Sequence, residues 1–218
     1  MHRGNPVPET EYPDSPCFGL TDLPCSSYHR IMVNRHDIHP DASAACLLQQ
    51  MCQYDGVLRQ YKPGAEFFSA GTVAQYFGYV ESGSLKQVAY GEDASEHVIN
   101  LAFKGQLIAD FPFSLLGLKS KTSMIAETPC VISCLPTSEL DSILDSDPML
   151  RDIIMATGDT LFPNIYKLYN DLQSKSPGQR YEELVKAHPD LDAMFRLKDI
   201  ASYLNITVRH LTRLRRHR

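Results

Sequence analysis

Leu197-Lys198-Asp199-Ile200-Ala201-Ser202-Tyr203-Leu204-Asn205-Ile206-Thr207-Val208-Arg209-His210-Leu211-Thr212-Arg213-Leu214-Arg215-Arg216 is the run on which the architecture turns. Leu197, Ile200, Ala201 and Leu204 recur at helical spacing and give a first helix one apolar face. The small Ala201 lets a second helix cross closely. Asn205 stands where the turn needs a left-handed residue, which asparagine tolerates better than most. Ile206 fills the corner, Thr207 caps the second helix, and Leu211 and Leu214 face inward. The other face of that helix presents Arg209, His210, Thr212, Arg213 and Arg216. Arginine reads guanine edges in the major groove and grips phosphates. Thr207 and the N–H groups at the helix start suit a phosphate oxygen. A helical hairpin with a merely solvated basic face is the plainer alternative. Spacing, turn residue, cap and charge agree with one another and favour a DNA-binding helix-turn-helix.

Charge supports that choice. The 218-residue chain carries a net charge of −5, yet residues 196–218 hold seven Lys/Arg against one acid, a net +6. The remainder, with 14 Lys/Arg and 25 Asp/Glu, stands at −11. A basic tail on an acidic body is the distribution of a protein in which one small module meets phosphate.

Upstream, Arg180–His188 reads as a short helix stopped by Pro189, and Ser174–Gly178 as a linker or turn. Asp147-Pro148 is a helix start. Leu150, Ile154, Thr157, Leu161, Ile165, Leu168 and Leu172 then recur at spacings of four and three, as in a coiled-coil-like dimer seam. Pro163 is expected to kink or break that helix. The plainer reading is a long helix packed only on its own domain. From Gly56 to Leu135 the pattern is one of short apolar runs split by glycine and proline. They are 56–61, 66–68, 76–80, 82–85, 97–103, 123–126 and 131–135. Such spacing indicates an antiparallel sandwich or roll, with glycines 64, 71, 83 and 105 at turns of positive φ. A short helix is expected over Ala42–Cys52, and residues 1–30 read as loose.

The expected fold class is therefore α+β. A loose extension (1–40) precedes an antiparallel β-roll of jelly-roll type (41–146). A dimerisation helix (147–175) and a small helix-turn-helix domain (176–218) follow.

Several functions are disfavoured. No apolar run is long enough to cross a bilayer, and no export signal is evident at the N-terminus, so a cytoplasmic location is expected. The six cysteines form no CxxC pair and read as reduced thiols, with Cys130 and Cys134 in the core. Cys17 and Cys25 are a poor match to an iron–sulfur ligand set, and His29, His36, His39 and His97 are too scattered to suggest haem. A cupin-like β-roll can host metal catalysis, but its His-x-His…Glu…His pattern is absent from 56–135. No phosphate loop or nucleophile elbow occurs, and no enzymatic activity is expected.

With these residues assembled, the chain resembles a Crp/Fnr-superfamily transcription regulator of the kind common in Bacteroidetes. The match rests on the β-roll, the long helix, Arg180-Tyr181…Leu184…His188-Pro189, and the Ile-Ala-Ser-Tyr-Leu…Arg-Arg run, and it spans about residues 40–218. The resemblance implies a homodimer on double-stranded DNA, with RNA polymerase as a protein partner. It implies that Val208, Arg209 and Arg213 face bases while Thr207, Arg215 and Arg216 contact backbone. The β-wing that follows the second helix in many relatives is not present before Arg218. In cyclic-nucleotide-binding relatives a Gly-Glu step holds the ribose and an Arg-Ser/Thr pair holds the cyclic phosphate. Here Ala109-Asp110 stands in the first place, and Lys119, Lys121 and Thr122 lie in the second with no arginine. Asp110 can accept from a hydroxyl and the lysines offer charge, without a bidentate guanidinium. A vestigial or repurposed pocket is thus favoured over a cAMP response, with the effector and any cofactor unidentified. The competing reading is a ligand-sensing roll that signals through protein partners and carries a degenerate DNA-binding tail.

Overall fold

The computed structural model describes residues 44–111, 113–114, 116–139, 142 and 157–216, and side chains from Leu48 onward except those of 157–165. Its elements in chain order are helix α1 (Ala44–Asp55) and strands β1 (Val57–Tyr61), β2 (Glu66–Phe68), β3 (Tyr76–Ser82), β4 (Ser84–Tyr90), β5 (Glu96–Phe103), β6 (Leu107–Ile108), β7 (Thr122–Ala126) and β8 (Cys130–Pro136). Helices α2 (Thr157–Ser174), α3 (Pro177–Ala187), α4 (Leu191–Met194), α5 (Leu197–Tyr203) and α6 (Val208–Arg216) complete it.

The strands form two four-stranded antiparallel sheets, ordered β1-β8-β3-β6 and β2-β7-β4-β5. Strand alternation sends Phe67, Val80, Leu85, Ala102, Met124, Ile132 and Cys134 into the space between them. Each sheet also has a covered outer face. Leu48, Met51 and Cys52 of α1 pack on Phe77 and Leu135 of the first sheet. The C-terminal helices cover the second, where Val98, Leu101 and Phe103 of β5 join Tyr181, Leu184, Phe195, Ile200 and Leu211 in one apolar cluster. Roll and helical head therefore share a core.

The expected strands are found, extended by the second half of β4 and by β6, whose two residues are too few to show a period. Glycines 64, 71, 83 and 105 all have positive φ. At Gly83 a side chain has no room, because a Cβ would lie 2.5 Å from the Pro129 carbonyl oxygen and 2.6 Å from Cys130 Sγ. Cys130 and Cys134 are buried as expected.

Two expectations need correction. Of the kink or break expected at Pro163, the break does not occur, since α2 runs through it from Thr157 to Ser174. The linker is shorter than expected, because Pro177 and Gly178 already belong to α3. Ser176 caps that helix in a capping box with Gln179, and proline fits the first turn, where its missing N–H has no partner to lose. The Asp147-Pro148 start and the seam positions Leu150 and Ile154 lie outside the described residues. At the other end of the seam, Leu168 and Leu172 are exposed, as are Tyr166 and Tyr169.

Candidate nucleic-acid interface

The turn between α5 and α6 is built as its residues dictate. Asn205 takes φ 54°, a left-handed conformation that most side chains resist. The Ile206 N–H donates to the Ala201 carbonyl at 2.9 Å, and Ile206 packs on the apolar cluster. The Thr207 hydroxyl accepts from the His210 N–H at 3.2 Å and so caps α6. Ile200, Ala201, Leu204 and Leu211 are almost fully buried, and Leu197 and Leu214 partly so.

That burial fixes which way α6 turns its polar side. Thr207, Val208, Arg209, Arg213, Arg215 and Arg216 are exposed, and His210 and Thr212 are half-buried. The Thr212 hydroxyl donates to the Val208 carbonyl at 2.9 Å, within the helix itself. Arg215 pairs with Asp192 at 2.8 Å, so one of the expected backbone contacts is engaged inside the head. Arg209, Arg213 and Arg216 form the outward basic face, and α6 has no acid of its own to oppose them.

The Arg180-Tyr181…Leu184…His188 segment holds this unit together. Arg180 donates to the Leu204 carbonyl at 3.1 Å and closes the end of α5. Tyr181 and Leu184 are core residues, and the His188 ring stacks on Phe103.

The expected pocket residues stand in different surroundings. Lys119 and Lys121 are exposed, Ala109 packs toward the α1 cluster, and Thr122 in β7 accepts from Gln87 at 2.8 Å. Asp110 differs. It is 5 % exposed, with an Oδ2 that has no hydrogen-bond partner among the described residues, and the Ser114 Oγ one turn on is likewise buried and unpaired among them. Desolvation raises the Asp110 carboxyl above its ordinary value, against a hydrogen bond from Ser120 that lowers it. Two buried oxygens without partners make a place for a hydrogen-bond donor. No group of three or more His, Cys, Asp or Glu among the described residues could hold a metal ion. His97 pairs with Ser95 on the surface.

The residues that sequence reading missed lie between roll and head. Lys86, on the outer face of β4 and 2 % exposed, sits 2.9 Å from Asp199 of α5 and 2.8 Å from Glu127. Arg196 completes the network, at 2.7 Å from Asp199 and 3.2 Å from Glu127. Burial alone would raise the Asp199 carboxyl, but hydrogen bonds from Lys86 and Arg196 outweigh it and hold the group below its ordinary value. Removing one partner from such a buried set costs about 3–5 kcal/mol, because a charge is left uncompensated. The period-2 pattern puts Lys86 opposite Leu85, on a face that reads as solvent until the head covers it.

A two-sheet β-roll with a helix-turn-helix head packed against it defines the class, and comparison with known proteins agrees. Residues 58–147 match the family model described as the cyclic nucleotide-binding domain. The chain shares its fold with several solved proteins. It is similar to FixK2 from Bradyrhizobium japonicum at 14 % identity and a TM-score of 0.64, over 74 % of this chain and 83 % of that one. A protein from Eubacterium rectale assigned to the Crp/Fnr family of transcriptional regulators matches at 15 % identity and a TM-score of 0.60, over 81 % and 82 %. The c-di-GMP responsive global regulator CLP of Xanthomonas campestris matches at 16 % identity and a TM-score of 0.54, over 78 % and 89 %. No curated protein matches the chain in sequence. Among the described residues, no helix is long and apolar enough to cross a membrane.

Proposed function

We propose that the chain is a cytoplasmic, sequence-specific transcription regulator that binds double-stranded DNA as a homodimer. The observation that carries this reading is the outward face of α6. Leu211 is fully buried, and that fixes the helix so that Arg209, Arg213 and Arg216 point to solvent together. Val208, Arg209 and Arg213 read base edges, while Thr207, His210, Thr212, Arg215 and Arg216 meet the backbone or line the groove. The exposed Tyr166, Leu168, Tyr169 and Leu172 of α2 are an apolar surface suited to a second copy. Two recognition helices then enter successive major grooves about one helical turn apart. RNA polymerase is the protein partner this reading implies.

The roll does not respond to cAMP on this reading. Lys119 and Lys121 stand in solvent and neither supplies a buried, planar fork for a cyclic phosphate. An effector, where one acts, meets Asp110 and Ser114 as a hydrogen-bond donor.

The test is selection of bound fragments from genomic DNA, followed by binding to the selected site. Arg209→Ala with Arg213→Ala should remove the preference for that site, since each base contact is worth about 1–3 kcal/mol. Affinity of the unaltered protein should fall steeply with salt as counterions are released. Unchanged preference in the double variant would overturn the groove assignment. A large rise in melting temperature with cAMP would overturn the reading of the roll.

A further inference from the structure

We propose that the Lys86–Glu127–Asp199–Arg196 network is a latch that sets the orientation of the helix-turn-helix on the roll. The head is not carried on a free hinge. Helix α5 is attached to the sheet at two points along its length. Near its start Asp199 meets Lys86 of β4 at 2.9 Å, and near its end the Ser202 hydroxyl accepts from the Val98 N–H of β5 at 2.9 Å. Two attachments on neighbouring strands fix both the position of a helix and its rotation about its own axis. Helix α6 follows, because Ile206, Leu211 and Leu214 pack in the same cluster as Ile200 and Leu204.

The latch is stronger than a surface ion pair. Lys86 is 2 % exposed and both carboxylates it meets are more than nine-tenths buried, so water screens these contacts less than those of a surface pair. Leu101, which pairs with Lys86 in the β4–β5 ladder, faces the head beside it, and Phe103 and Val98 extend the apolar seat. Lifting the head would break the Lys86–Asp199 pair and bare these three side chains at once. Arg196 clasps Glu127 and Asp199 from the exposed side. A groove of about 730 Å³ lined by Lys86, Glu127, Arg196 and Lys198 runs along the same edge, so the network has one side open to solvent.

Hydrogen exchange of the full chain without DNA tests this independently of any DNA-binding role. Lys86→Met should raise exchange of the amides of 197–216 at least tenfold and leave β1 and β8 as protected as before. Glu127→Gln keeps the Lys86–Asp199 contact and should give a smaller rise in the same segment, and it serves as the readout should Lys86→Met fail to fold. Protection of 197–216 within twofold of the unaltered chain in both variants would overturn the latch. An equal loss of protection in roll and head would also overturn it, since the network would then be a general core contact. Arg209→Ala should leave the exchange pattern unchanged.

Discussion

The imidazole of His188 lies flat on the ring of Phe103, with centroids 3.4 Å apart and planes 3° from parallel. Phe103 ends β5 and His188 closes α3, so the stack joins sheet to head on the side of the interface where α5 starts, beside Phe195. Burial lowers the His188 pKa below its ordinary 6.5, which keeps the ring neutral in the folded protein. In the unfolded chain the same group takes up a proton near pH 6.5. The contribution of the neutral ring is therefore whole above that pH and is lost as pH falls from 6.5 toward the lower folded value. Melting temperature should drop between pH 7.5 and pH 5.5, and His188→Phe should flatten that drop. Identical slopes in the two proteins would contradict a neutral, half-buried His188.

Asn205 holds φ 54° at the turn that sets α6 against α5. A left-handed conformation costs an ordinary side chain about 1–2 kcal/mol, and glycine none of it. Asn205→Gly should leave stability within a few tenths of a kcal/mol, by the small difference between these residues at such positions. Asn205→Val should lower it by about 2 kcal/mol, because β-branching narrows the backbone further. Denaturant midpoints of the two variants check the contrast, and an equal loss in both would show that the Asn205 side chain itself is what matters.

These two sites mark how much the sequence shows. Asn205, Thr207 and the glycine turns were legible because their demands are local: a φ, a cap, a missing Cβ. The roll and the helix-turn-helix followed from periods of 2 and 3.6. Lys86 and Asp199 were not legible, since each looks solvated within its own element and becomes buried only when α5 settles on β4. The single acid in a basic tail was counted as charge, whereas it is turned away from the basic face and into the roll. The resemblance points to Asp110, Lys119 and Lys121 together, yet Asp110 is buried while both lysines are exposed. Chain proximity alone does not say whether a loop brings its side chains together.

Gly83 links β3 to β4 with φ 92°, and an added Cβ would collide with the Pro129 carbonyl and the Cys130 side chain. Gly83→Ala combines a forbidden backbone region with that overlap. The strain alone is about 1–3 kcal/mol, so melting temperature should fall by several degrees. The loss should exceed that of Gly71→Ala, where φ is 81° but nothing lies within 4 Å of the new carbon. Because Lys86 follows three residues after Gly83, Gly83→Ala should also raise exchange in α5. Equal destabilisation of both variants would show that backbone strain, not the collision, decides the cost.

Asp110 gives a prediction of the opposite sign in pH. Its carboxyl is raised by burial, so the folded state disfavours the charged form that the unfolded chain carries above pH 4. A raised acid therefore costs stability at neutral pH, and the cost vanishes as pH falls below the unfolded value. Asp110→Asn removes that charge at nearly the same volume. It should raise the melting temperature at pH 7 and change it little at pH 3.5. The same exchange replaces an acceptor-only oxygen with a donor, so any effector that donates to Oδ2 should bind less well. Greater stability with weaker effector binding is the pair of results expected of a polar group kept for a ligand. A variant no more stable than the unaltered protein at pH 7 would mean that Oδ2 has a partner in the folded chain, and the roll would then hold no reserved acceptor at this position.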